Sequence, residues 1–201
     1  MITLMLALIS ATFAGSKAKP TPSQDQMPIP IDIPTTGVGH VGFDPVKNYS
    51  AKDLAALRKA EVLSNELLQS QCFSDFMTNR ALIQTGGKTP MQVVEHLKTR
   101  NLTVPVTMYY SRKNVVGYRN VGSPIVYTNL KFHAGSTACA RASNLTHEWS
   151  HVPDEATGIG YGHDYKATRQ RPYSVPYSIN AAFDKCCVCA PKSILDCTIV
   201  Q

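Results

Sequence analysis

Apolar residues recur along this chain with two different periods. From Ser50 onward, Leu54, Leu57, Val62, Leu63, Leu67 and Leu68 fall at helical intervals, the spacing that lays one apolar stripe along a helix. Ser50 followed three places later by Asp53 is a capping-box-like start for that helix. A shorter helical piece is expected around residues 73–77. Thr89-Pro90 opens another through Leu97, with Thr as N-cap and Pro in the first turn.

Between residues 103 and 127 the period drops toward two. The runs at 104–110, 114–120 and 124–129 are rich in Val, Ile, Thr and Tyr and are separated by polar or Gly-containing turns, which predicts three antiparallel strands. Helical spacing then returns. Ser136 is a candidate N-cap for a helix over residues 137–152, stopped by Pro153, which disfavours helix in the residue before it. A last helix is expected over about residues 174–186. No internal repeat interrupts this order, and the fold class is α+β in one domain spanning 50–201.

The segments before residue 50 read differently. Residues 1–14 are almost wholly apolar and are followed by small residues, Lys17 and Lys19. This predicts a secretory signal peptide over 1–18, cleaved after Ala14 or Ala18, and too short to span a bilayer. Residues 19–49 begin with five of the 13 prolines and show no helical period, which predicts an extended arm. No later segment is long and apolar enough for a membrane helix. Export, to the medium or a periplasm, agrees with an even set of six cysteines, four of them within residues 186–197. Disulfides tying the C-terminal tail to itself, to Cys72 or to Cys139 are expected. A thiolate zinc site is disfavoured because the tail reads C-C-x-C-x7-C, without pairs at C-x-x-C spacing.

Composition narrows the function classes. In 201 residues, 43% are hydrophobic and 17% charged, as in a packed globular protein. The formal charge of +6 and pI near 9.0 favour anionic surfaces such as cell wall. No basic run or recognisable module concentrates that charge, so a nucleic-acid partner is not expected.

The chemistry concentrates in His147-Glu148-Trp149-Ser150-His151, an H-E-x-x-H string on the helix argued from cap and stop. Histidines four apart differ by about 40° around a helix, so both imidazoles can face one ion. Glu148 lies about 100° from His147, placed to accept a proton from water as a general base. With six His and five Glu in the chain, about 0.004 such strings arise by chance. A zinc enzyme needs a third protein ligand. The glycine-rich run at 158–164 ends in His163 and Asp164 and can turn back under the helix, so His163 is the expected ligand and Asp164 its rival. His96 and His133 are more remote candidates. Beyond the loop, Tyr173 and Tyr177 are candidate oxyanion hydrogen-bond donors, Tyr177 being nearer the start of the next helix.

With this string, the run at 158–165 and the segment 171–180, the chain resembles the zincin metallopeptidases and is similar to small secreted bacterial metallopeptidases of the H-E-x-x-H type. The resemblance covers about residues 103–185. It implies a zincin-like α+β fold, a small antiparallel or mixed sheet with an active-site helix and flanking helices, and an edge strand running before that helix along which a peptide lies. It also implies that His147 and His151 ligate Zn2+ while Glu148 is catalytic. The longer metzincin motif would require Gly at 154 and His at 157, where this chain has Asp154 and Thr157, so that third-ligand geometry does not carry over. The aspzincins are resembled only loosely, since their G-T-x-D setting is absent. The expected function is a secreted zinc endopeptidase acting on protein or peptide, with residues 115–118 or 125–128 pairing with substrate backbone. The alternatives are a hydrolase of cell-wall peptide cross-links and a non-enzymatic exported module with a structural zinc site.

Overall fold

The structure is a computed structural model and describes residues 39–47, 49–163, 169–191 and 193–201. The expected signal peptide and residues 19–38 of the Pro-rich arm lie outside the described residues, as does Asp164. The fold is α+β. A four-stranded mixed sheet is built from β1 (Val41–Lys47), β2 (Leu102–Tyr109), β3 (Gly117–Arg119) and β4 (Val126–Asn129) in the order β1-β2-β4-β3. Helices α1 (Ala51–Gln69), α2 (Gln71–Thr78) and α3 (Pro90–Thr99) connect β1 to β2. After β4 come α4 (Leu130–His133), α5 (Ala138–His151) and α6 (Val175–Cys186), then a small hairpin of β5 (Cys187–Cys189) and β6 (Cys197–Ile199).

Local signals set the helix starts. The Ser50 hydroxyl accepts from the Asp53 amide while the Asp53 carboxylate accepts from the Ser50 amide, closing the expected capping box on α1. Thr89 and Gln92 form a second such box on α3, with Pro90 in the first turn. On α5 the cap falls one residue later than expected. Thr137 caps the helix through the Ala140 amide, and Ser136 instead donates to the His133 carbonyl at the end of α4.

Two strand expectations are corrected. Residues 41–47, expected as the end of the extended arm, form β1, whose Val41 and Phe43 are buried in the core. The sheet is mixed, one of the two arrangements expected of it, and the three strands read between residues 103 and 129 are not all antiparallel. β1 and β4 both run parallel to β2, and only β3 is antiparallel, paired to β4. The chain leaves β2, passes to the far side to make β3, and returns so that β4 inserts between them. Residues 126–128 are therefore flanked by strands on both sides and cannot add a substrate strand, whereas the outer edge of β3 is open among the described strands.

Burial alternates along β2, with Val104, Val106 and Met108 inside, so one sheet face carries the core. The other face bears the Tyr109, Tyr118 and Tyr127 rings, packed 4.8 and 5.3 Å apart. Helices α1 and α5 pack on the core face and on each other, joined by a buried hydrogen bond from Thr146 to Ser64. Glu61 is buried without being stranded, because it accepts from the Phe43 amide and from Arg58. All six cysteines pair, as Cys72 with Cys186, Cys139 with Cys187, and Cys189 with Cys197. The tail is thus tied to α2, to α5 and to itself. Cys139, Cys189 and Cys197 lie close enough together to resemble a metal-binding group, but each sulfur is already committed to a disulfide.

Candidate metal centre

Helix α5 brings His147 and His151 onto one side, and the chain beyond it returns a third imidazole. The ligand atoms of His147, His151 and His163 all lie within 4.8 Å of one another. Their rings are 5.0 Å (147–151), 4.8 Å (151–163) and 5.6 Å (147–163) apart.

The return path has identifiable causes. Pro153 stops the helix, and a tight turn follows in which Asp154 accepts from both the amide and the hydroxyl of Thr157. Gly158 there has φ +65°, a backbone state that costs a residue with Cβ. The Tyr161 amide then donates to the Ser150 carbonyl at 2.9 Å. Between them Gly160 passes so close that a Cβ would sit 2.4 Å from the His151 carbonyl oxygen. The residues that depart from the metzincin motif, Asp154 and Thr157, are thus the ones that pin this turn.

The two helical imidazoles have their tautomers set by the protein. His147 Nδ1–H donates to Asn180 Oδ1 at 2.6 Å, and the Asn180 amide is oriented by donating to the carbonyl and hydroxyl of Ser143. His151 Nδ1–H donates to the Tyr161 carbonyl at 2.5 Å. Each acceptor is a carbonyl oxygen, so each Nε2 carries a lone pair available to a cation. Burial pushes His147 down to about 3, helped by the neighbouring His151, and His151 down to about 4. His163 is also lowered, by burial and then by the Arg171 charge. Three neutral imidazoles that converge in this way are a donor set that fits a borderline transition-metal ion.

Glu148 is buried, with 7% of its surface exposed. Burial raises its carboxyl to about 7, and the Arg119 charge on β3 pulls the other way. The candidate tyrosines separate. The Tyr177 ring, in the first turn of α6, lies 4.9 Å from the His147 ring and 5.1 Å from the His163 ring, with the Arg171 guanidinium 4.9 Å from the Tyr177 ring centre. Tyr173 belongs to the 3-10 turn Arg171–Tyr173, is exposed, and packs against the Arg80 guanidinium. It is not among the described rings that touch the three imidazoles. His133 is buried elsewhere, against Arg141. His96 supports the return loop instead of the ion, accepting from the Tyr161 hydroxyl at Nδ1 (2.7 Å) and donating to Asp154 at Nε2 (2.9 Å). Asn180, Arg119 and the Tyr161 carbonyl were not expected from sequence; they carry no motif, and only the packing of α6, β3 and the loop against α5 reveals them.

The loop anchor has a measurable energy. Desolvation raises the Asp154 carboxyl, but Thr157, His96 and the Arg100 guanidinium outweigh it and hold the group at about 2. These partners come from the loop and from α3 with its C-terminal cap, Arg100 also lying over the Trp149 ring. A folded value below the unfolded one stabilises above about pH 4, and that contribution is lost as pH falls toward 2. Asp154→Asn is therefore expected to cost about 2 kcal/mol in urea unfolding at neutral pH, with the difference from wild type shrinking below pH 4. A constant difference across that window would remove the carboxylate from this role.

Compared with known proteins, the chain matches no family model and no curated protein.

Proposed function

We propose that the protein is a secreted zinc-dependent endopeptidase of zincin-like architecture. The observation that carries this reading is the convergence of His147, His151 and His163 within 4.8 Å, beside the buried Glu148 of the same helix. Three disulfide pairs favour an oxidising compartment. Among the described residues no helix is long and apolar enough to cross a membrane.

In this reading His147, His151 and His163 hold Zn2+. A bound zinc ion would supply Lewis acidity and make a water more acidic. Glu148 takes a proton from the attacking water and returns it to the leaving amide nitrogen. Tyr177, held beside His147 and His163, donates to the carbonyl oxygen as charge develops there. The peptide lies along the free edge of β3, pairing with its backbone as an added strand, and Arg119 on that strand balances the charge of Glu148.

Metal removal tests the proposal. Purified protein is expected to contain about one zinc per chain and to cleave denatured protein; a chelator should abolish cleavage and added zinc restore it. Cleavage of isolated cell-wall cross-links without cleavage of denatured protein would move the substrate to the cell wall. Zinc-replete protein that cleaves neither would leave a structural zinc site.

A further inference from the structure

A second cavity, of about 460 Å³, opens along α5 on the N-terminal side of the metal centre. Val116, Phe132 and Ala140 line it with apolar surface, while Lys131, His133, Arg141 and Asn144 supply polar groups, and among the described residues no carboxylate lines it. Three of these polar side chains are incompletely satisfied. Arg141 and His133 are each only 4% exposed, yet among the described residues Arg141 Nη1 and His133 Nε2 have no hydrogen-bond partner, and neither has Asn144 Oδ1. The Arg141 Nε donates to the His133 carbonyl, which fixes the guanidinium in place. A buried guanidinium with no carboxylate hydrogen-bonded to it is costly unless an anion completes it. The acid whose field reaches Arg141 is Asp53, and its carboxylate is engaged in the Ser50 cap of α1.

The cavity is placed to act with the metal centre. Asn144 precedes Glu148 by four residues and Arg141 precedes it by seven, so both lie within about 40° of it around the helix, at about 6 and 10 Å along the axis. Asn144 also packs under Gly117 of β3, where a Cβ would come within 2.7 Å of its Oδ1. A peptide on the β3 edge with its scissile bond at Glu148 would therefore carry neighbouring groups over the cavity mouth. At the rim the Lys131 Nζ is held by the Arg112 carbonyl and Asn114 Oδ1.

We propose that this cavity is a carboxylate-binding subsite that selects an acidic group of the substrate beside the cleaved bond. Arg141 and His133, in its Nε2–H tautomer, donate to the carboxylate. Lys131 adds charge at the entrance, and the apolar wall takes the stem of the side chain. The carboxylate comes either from an acidic side chain or from a peptide C-terminus.

This inference rests on the peptidase reading, and its test separates the two. One peptide sequence is made with Glu or Gln at the positions flanking the cleaved bond, each with a free or an amidated C-terminus. A carboxylate is expected to raise kcat/KM about tenfold, and Arg141→Met or Lys131→Glu to bring that ratio toward one. Lys131 is exposed, so its variant keeps the test valid if Arg141→Met fails to fold. Preference for Glu with an amidated end assigns an internal acidic side chain; preference for the free end with Gln assigns a terminal carboxylate. Equal cleavage of all four peptides overturns the subsite and leaves the peptidase reading standing. If none is cleaved, the peptidase reading fails and binding alone decides. Thermal stabilisation of the wild type by N-acetylglutamate, beyond that by N-acetylglutaminamide, which has no carboxylate, and lost in Lys131→Glu, then supports a carboxylate site, and equal stabilisation overturns it.

Discussion

Glu148→Gln protein is expected to fold, to keep its zinc, and to lose about 10²- to 10⁴-fold in kcat toward any peptide the wild type cleaves. The amide keeps the shape of the buried side chain, so packing around α5 is conserved, and it removes a charge from a desolvated position instead of adding one. Metal binding is expected to survive because the convergent imidazoles belong to His147, His151 and His163. The amide lacks a lone pair basic enough to take the water's proton, so the proton transfer on which both halves of the reaction depend is lost. Zinc by mass spectrometry, circular dichroism and kcat on one peptide substrate check the three parts together. Wild-type kcat in a zinc-replete Glu148→Gln enzyme would remove Glu148 as the base.

The parts of this fold written in short stretches of sequence are the parts a reader of the sequence can recover. The Ser50 and Thr89 boxes, the stop at Pro153 and the apolar stripe of α1 are encoded within about four residues of where they act. The same is true of the helical histidine pair, whose convergence needs only a helix. The topology is written elsewhere. β1 follows a proline-rich stretch and carries Pro45 within it, so its local signal is weak, and its place in the sheet depends on pairing with residues some sixty positions on. The parallel register of β2 and β4 depends on where the β3 segment docks. Six cysteines allow fifteen pairings, and only folding chooses among them.

Within the candidate site the same division holds. Tyr173 and Tyr177 stand on opposite sides of Ser174, which starts α6. That single boundary sends one ring toward Arg80 and the other toward the imidazoles. Asn180 reaches His147 because α6 packs on α5 in a particular register, a relation between segments thirty-three residues apart. The carboxylate cavity is still less legible, since its Arg141 and His133 become notable only by lacking partners once buried.

His163→Ala is expected to weaken zinc binding by more than about 100-fold, whereas Asp164→Asn weakens it far less. Loss of a protein ligand should exceed the 10- to 100-fold cost typical of losing an outer hydrogen-bond partner. His163 stands two residues after Tyr161, and that short link has structural force. The Tyr161 amide is tied to Ser150, its hydroxyl to His96, and its carbonyl orients His151. The loop that delivers the third imidazole therefore also sets the tautomer of the second. His163→Ala leaves those anchors in place, so the protein is expected to stay folded with His147 and His151 still paired, and the deficit should appear in metal affinity before stability. Asp164 lies outside the described residues, but a neutral third imidazole leaves the ion its full +2 charge, whereas an Asp ligand would offset part of it and make a bound water less acidic. A zinc titration against a competing chromophoric chelator distinguishes the two assignments: strong loss in Asp164→Asn with near-normal affinity in His163→Ala would transfer the third ligand to the carboxylate.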